Sequence, residues 1–351
     1  MTWGRLGFVI LLLLIVAPGC ASSAGHSRRD LTRFEFERPQ MGLPFRLILH
    51  TDTPSRATDV AEAVWSRIAE LNGILSDYDA DSELSRLSRT SGSGTWVIVS
   101  PDLANVLGTA NDISRDSNGA FDVTVGPEVT LWRRARRQRK LPDQTAMEEA
   151  RRLSGWTRVE LRHRNGRMEA MLLTPGMRLD LGAIAKGYAL DQAAAVLRRK
   201  GITRFLLSGG GDMIIGDSPP GQLGWTVEAG VFDTAEAQTR RLLCLVNTAL
   251  ATSGDSFQRA EIDGVRYSHI VDPRSGIGLT DHSLVTVIAT SAMLADALST
   301  AVSVMGPDDG PALAARRGAD VWILRKPGPL VEETRSAGFP TGTAPSPTRL
   351  P

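Results

Sequence analysis

Two cysteines, Cys20 and Cys244, are all that 351 residues contain, so at most one intrachain disulfide is possible. Cys244 lies in the apolar run Leu242-Leu243-Cys244-Leu245-Val246 and reads as an inert core thiol, not a nucleophile. Charge of one sign is also lacking. The formal net charge is +1, which provides no global field for nucleic acid or for a membrane surface. The N-terminal apolar run, Phe8 to Val16, is too short to span a bilayer. No Walker A loop is present, the glycines near residue 182 do not form GxGxxG, and no internal repeat is found. What remains is a 42% hydrophobic, 23% charged chain with ample material for a core, in one large domain or two intimately packed ones.

The N-terminus reads as a targeting segment. Arg5 precedes the apolar run, which ends at Ala17-Pro18-Gly19-Cys20. A small residue followed by Cys resembles a bacterial lipobox, which makes residues 1–19 a lipoprotein signal peptide and Cys20 the lipidated N-terminus. The alternative is an ordinary secretory signal cleaved nearby. A lipidated Cys20 leaves Cys244 as the one remaining thiol. Residues 20–33 then form a tether at the bacterial cell envelope, anchored to a membrane and facing the periplasm.

Beyond the tether, residues 34–51 alternate and then run apolar, which predicts a strand. Val60, Val64, Ile68, Leu71 and Leu75 recur at helical spacing over 57–77, and a second helix spans Leu103 to Ile113. A third begins after the turn at Asp180–Gly182 and stops at Gly201. Strands are expected at 203–208, 225–230, 242–246, 284–289 and 319–324, with a helix from Ser291 broken at Gly306-Pro307. This alternation without a strict βαβ period predicts an α+β fold, with mixed sheets covered by helices. Residues 34–325 form its body, and 326–351 are a Pro/Gly/Ser/Thr-rich, loosely ordered tail.

Chemistry-bearing residues gather in a few segments. Ser268-His269-Ile270-Val271-Asp272-Pro273-Arg274-Ser275-Gly276 sets an imidazole, a carboxylate and a guanidinium on one sharp turn. Asp180 to Asp191 places an acid, small residues and Lys186 at a helix start, where free N–H groups favour an anion, although Asp180 could simply cap the helix. Asp296 and Thr300, four apart, share a helix face and could offer hard oxygens to Mg2+; the alternative is a solvated face opposite Leu294, Leu298, Val302 and Met305. Arg133 to Lys140 carries six cations in eight residues and reads as a solvated surface.

Together, Met41-Gly42-Leu43-Pro44-Phe45, Leu75 to Leu84, Gly119-Ala120-Phe121-Asp122-Val123-Thr124, Leu179 to Gly187, Ser208 to Asp212, Thr252-Ser253-Gly254-Asp255, His269 to Pro273 and Ala295 to Thr300 resemble the successive signatures of the ApbE family, the FAD:protein FMN transferases. The resemblance covers residues 34 to about 325 and implies a T-fold-related catalytic unit of two packed lobes. It implies Mg2+-dependent transfer of FMN from FAD to a threonine of an exported acceptor protein, with AMP released. It assigns metal ligation to Asp296, Thr300 and the Ala183 carbonyl. FAD binding falls to Met41, Tyr78, Ala120, Phe121, Asp122, Asp180, Lys186 and Ile270, with Tyr78 available to stack on a ring. His269 is the base for the threonine proton, with Asp255 and Asp272 orienting it or the metal's waters. His26 lies in the tether, and His50, His163 and His282 read as surface residues. Ser275 stands where the family usually has Thr, which preserves the hydroxyl, and the usual Pro after Leu279 is missing. Alternatives on the same fold are a FAD pyrophosphatase yielding FMN and AMP, and a non-catalytic flavin-binding lipoprotein.

Overall fold

A computed structural model describes residues 31–232, 239–255 and 259–343. The segment expected to be a signal peptide, with Cys20 and His26, lies outside these residues. Thr32–Gln40 (β1) and Leu43–Thr51 (β2) pair as a hairpin closed by Met41 and Gly42, whose φ values are 50° and 76°. Two consecutive left-handed residues reverse the chain tightly and match the twist of the strands. One strand was expected over 34–51; this turn makes it two.

Helix α1 (Pro54–Leu75) follows, with the Thr53 hydroxyl accepting from the Arg56 N–H. Next come α2 (Glu83–Arg89), β3 (Val97–Val99), α3 (Pro101–Asp116), α4 (Gly126–Gln138), α5 (Gln144–Leu153), β4 (Val159–Arg164), β5 (Arg167–Leu172) and α6 (Ala185–Arg199). The second half adds β6 (Phe205–Gly209), β7 (Asp212–Ile215), β8 (Trp225–Ala229), β9 (Arg241–Leu245), β10 (Thr248–Gly254), β11 (Arg259–Ile262) and β12 (Val265–Ser268). It ends with β13 (Ser283–Ala289), α7 (Ala292–Arg316), β14 (Asp320–Arg325) and β15 (Glu332–Arg335).

Eight strands form the main sheet in the order β1-β2-β6-β7-β10-β13-β14-β15. The α+β expectation holds, but the named strands all pair antiparallel, so the sheets are not mixed. Two-residue turns join β1 to β2 and β6 to β7, while β2–β6, β10–β13 and β13–β14 pair across long stretches of chain. Side chains alternate across the sheet. Val285, Val287, Val321 and Ile323 face the core shared with the helices, while Leu284, Trp322 and Leu324 face a second core under the β8–β9 ribbon. A one-residue slip would exchange the two sets, so this pattern fixes the register. Each fully buried Val or Leu contributes about 1.5–3 kcal/mol.

Two expectations for the periphery are corrected. Residues 332–343 are not a loose tail: β15 pairs with β14, and Phe339 is buried against Trp322, ring centroids 5.7 Å apart. Cys244 is exposed, because β9 is a strand of a two-stranded ribbon and Cys244 points off its outer side. The described residues from Leu31 onward form one compact unit.

Helices α6 and α7 meet closely. Gly187 lies so near α7 that a Cβ there would sit 2.2 Å from the Ala292 carbonyl oxygen. Asp191, one turn further along α6, accepts from the Ala292 and Met293 N–H groups at 2.7 and 2.9 Å and so caps α7. Gly187→Ala is expected to destabilise the fold by about 1–3 kcal/mol through overpacking. A thermal melt checks this, and an unchanged melting temperature would show that the helices can separate freely.

Glu128 on α4 is fully buried, and burial raises its pKa above the ordinary glutamate value, with the Ser154 hydroxyl donating to Oε1. A raised carboxyl pKa favours the fold at low pH, and that advantage is lost as pH rises above the unfolded value of 4.5. Glu128→Gln is therefore expected to flatten the fall in melting temperature between acid and neutral pH. Parallel slopes for the two proteins would rule out this titration.

Candidate active site

The centre of the site is a half-buried lysine between two buried carboxylates. Lys186, in the first turn of α6, places Nζ 2.8 Å from Asp296 Oδ1 and 3.2 Å from Asp212 Oδ2. Nζ also donates to the Gly182 carbonyl at 3.2 Å. Both carboxylates are 2% exposed. Burial alone would depress the lysine pKa, but Asp212 and Asp296 outweigh it and hold the ammonium above its usual value. Burial pushes Asp212 up to about 7, opposed by Lys186 and reinforced by Asp296.

Backbone geometry delivers these groups. The Gly187 N–H donates to Asp296 Oδ2 at 3.0 Å, a contact that the close helix crossing makes possible. Gly209-Gly210-Gly211 turns β6 into β7 and sets Asp212 at the strand start. Gly210 and Gly211 have φ of 62° and 97°, and a Cβ on Gly210 would meet Leu43 at 2.6 Å and the Lys186 stem at 3.5 Å. The β1–β2 turn bearing Met41 is thereby brought beside Lys186. Asp296 is therefore not on a solvated face. One turn further along α7, Thr300 Oγ1 lies 3.2 Å from Ser253 Oγ, which also bonds Ser299 at 2.7 Å.

These oxygens can be tested as a divalent-cation site. Asp296, Thr300, Ser253 and Asp212 are hard donors, and a cationic ammonium already sits between the carboxylates. The first helical bond of α6 runs from Tyr188 N–H to the Ile184 carbonyl at 3.1 Å, so the Ala183 carbonyl lies just before the helical ladder. No cluster of three or more His, Cys, Asp or Glu at ligand spacing occurs among the described residues. Few carboxylates, supplemented by hydroxyl and carbonyl oxygens, is the donor set that Mg2+ accepts when substrate phosphates complete its shell.

Asp180 lies just upstream. Its Oδ1 accepts from the Gly182 N–H at 2.8 Å, fixing the turn that carries Ala183, so it does not simply cap α6. Its Oδ2 accepts from Arg133 Nη2, also at 2.8 Å. Burial raises the Asp180 pKa, Asp77 adds to this, and Arg133 opposes it. Arg133 also donates from Nη1 to Asp77 at 2.5 Å and lies over the Tyr78 ring, 4.3 Å from its centroid. This corrects the reading of 133–140 as wholly solvated.

The His269 loop packs against the far end of the site. Ser268 N–H donates to Leu279 at 2.7 Å, and its carbonyl accepts from Trp132 Nε1 at 3.0 Å. Ile270 joins Ala120 and Val304 in one apolar cluster, which connects the loop to the GAFDVT turn and to α7 beyond Thr300. His269 is half-buried within this loop. Asp272 and Asp255 have other partners than those expected. Asp272 holds Arg274, with Nε at 2.9 Å from Oδ1 and Nη2 at 2.8 Å from Oδ2, while Arg274 Nη2 donates to the Val304 carbonyl. Asp255, 2% exposed, pairs with Arg266 and faces His282 Nε2 at 3.6 Å.

Of the remaining expected residues, Phe121 is buried in the main core. Asp122 is engaged locally, accepting from the Thr124 N–H and hydroxyl at 2.7 and 2.6 Å and from the Trp156 N–H at 3.1 Å. Burial raises its pKa. His282 is no surface residue: it stacks on Phe232 with centroids 4.3 Å apart. His50 is half-buried against Trp225, whereas His163 is exposed as expected. Asp212, Ser253, Arg133 and Asp77 join the site without having been singled out. Asp77, Asp212 and Ser253 stood within the family-like motifs, which was the available signal.

A lysine-bridged carboxylate pair at a helix crossing, with an exposed tyrosine and a histidine loop, marks the candidate site of this α+β protein. The chain belongs to the ApbE family, whose model matches residues 41–323. It is 28% identical over 343 residues to the FAD:protein FMN transferase of Escherichia coli K12, covering 95% of this chain and 97% of the relative. Among solved structures, the flavin transferase ApbE from Vibrio cholerae superposes with a TM-score of 0.78 at 28% identity, covering 88% of this chain and 98% of that one. The apo flavinyl transferase ApbE of Pseudomonas stutzeri gives 0.77 at 28% identity, with 88% and 95% covered.

Proposed function

We propose that this protein is a FAD:protein FMN transferase, moving the FMN half of FAD onto a threonine hydroxyl of an acceptor protein and releasing AMP. The observation that carries the reading is the Lys186–Asp212–Asp296 centre, inside a chain that belongs to the ApbE family. Phosphoryl transfer depends on positioning and charge neutralisation, and an ammonium held between carboxylates on a helix and a strand supplies both.

Asp296, Thr300 and the Ala183 carbonyl would hold Mg2+, with Asp212 and Ser253 beside them. Bound there, Mg2+ neutralises charge on the pyrophosphate. Lys186 offers a fixed positive charge to the same phosphates. Asp180 orders the turn before α6, and Tyr78 presents a ring face to the dinucleotide. His269 accepts the threonine proton as the new O–P bond forms on the FMN-side phosphorus. The bond from that phosphorus to the bridging oxygen breaks, and AMP leaves with that oxygen. Asp272 and Arg274 brace the His269 loop against α7 through Val304. Lipidation at Cys20 would place this chemistry on a membrane of the bacterial cell envelope, facing the periplasm.

The test is AMP release from FAD, with and without chelator and with and without an acceptor domain. Metal- and acceptor-dependent AMP, with flavin fixed to the acceptor, is the expected result. AMP with free FMN alone would identify a hydrolase, and FAD binding without AMP would identify a carrier.

A further inference from the structure

Arg133 stands apart from its basic neighbours, because it turns inward and connects three parts of the site. Its guanidinium bridges Asp77 on the segment after α1 and Asp180 on the turn before α6, at 2.5 and 2.8 Å. A planar fork directs separate N–H groups at two carboxylates in fixed geometry, whereas an ammonium acts as a point charge on a flexible stem. The same group covers one face of Tyr78, 4.3 Å from the ring centroid. Tyr78 is otherwise 77% exposed, and an aromatic side chain that open needs a partner to fix its orientation. Tyr78 and Asp77 form part of the wall of a cavity of about 540 Å3, together with Ser85, Ser88, Arg178 and Leu179.

We propose that Arg133 is a positioning residue for the dinucleotide, locking the Tyr78 ring over this cleft while tying it, through Asp180 and Gly182, to the turn that carries Ala183. The proposal rests on the flavin-transfer reading. One face of the ring is occupied by the guanidinium, so the other receives a planar heteroaromatic ring of the substrate. Without Arg133, Asp77 and Asp180 face each other uncompensated and the Tyr78 ring loses its backing. Binding of the dinucleotide suffers first, since Arg133 touches neither Lys186 nor Asp296 directly.

The experiment compares wild type, Arg133→Met, Arg133→Lys and Tyr78→Ala, measuring KM for FAD, kcat for AMP release, FAD Kd from flavin fluorescence, and the melting temperature. Arg133→Met is expected to raise Kd and KM about tenfold with kcat within about threefold. Arg133→Lys restores only part of this, because an ammonium lacks the planar fork that both reaches the two carboxylates and backs the Tyr78 ring. Tyr78→Ala added to Arg133→Met raises Kd little further, since both remove the same platform. An unchanged Kd in Arg133→Met would overturn the proposal, as would kcat and KM losses that simply track a lowered melting temperature. A wild-type protein that binds no FAD would defeat the functional reading itself, a result distinct from any outcome confined to the variants.

Discussion

Asp296→Ala is expected to slow AMP release from FAD by about 10²–10³-fold, the usual cost of deleting one preorganised electrostatic group from a phosphoryl-transfer site. Asp296 accepts from Lys186 and from the Gly187 N–H and is almost wholly buried, so its loss removes the carboxylate proposed to hold Mg2+ and leaves Asp212 as the carboxylate partner of Lys186. It also strands the buried Gly187 N–H without its acceptor, at a cost of about 1–3 kcal/mol in stability. Asp296→Asn separates the two effects, because it keeps the shape and removes only the charge. The Asn variant should melt nearer to wild type and still lose nearly all activity. Wild-type turnover in the Asn variant would remove Asp296 from the chemistry.

His269→Ala carries the second large effect. Deleting a general base typically costs about 10²–10⁴-fold in rate. FAD affinity should stay within about threefold, because the Arg133–Tyr78 and Lys186 groups are untouched. Asp272 holds Arg274, whose Nη2 reaches the Val304 carbonyl. Asp272→Ala should therefore act through loop order and lose less than His269→Ala does. The rates of the two variants, measured at saturating FAD, decide this.

Much of the scaffold was legible in the sequence. Helical spacing of Val60, Val64, Ile68, Leu71 and Leu75 gave α1 within a few residues, because one wide apolar face suffices to define such a helix. Gly306, with φ of 78° and ψ of −174°, breaks α7 where Gly306-Pro307 said it would. The quoted motifs do converge: α6 and α7 carry Lys186 and Asp296, and Ile270 meets Ala120.

Tertiary contacts account for what was not legible. Periodicity put Asp296 on a solvated face because no helical wheel shows the Gly187–Ala292 crossing that buries it. Composition made Arg133 one cation in a run, and only folding reveals that Asp77 and Asp180 lie on either side of it. His282 lacks a neighbour in sequence and gains Asp255 and Phe232 in space. Phe339 looked like part of a low-complexity tail, yet the aromatic face of Trp322 gave it a place in the core.

The most direct measurement of the central claim is the intact mass of an acceptor domain incubated with this protein, FAD and Mg2+, read beside the AMP formed. The account predicts one FMN phosphoester per acceptor, one AMP per label, and no label when the acceptor threonine is replaced by alanine. An unlabelled acceptor alongside AMP and free FMN in equal amounts would contradict it.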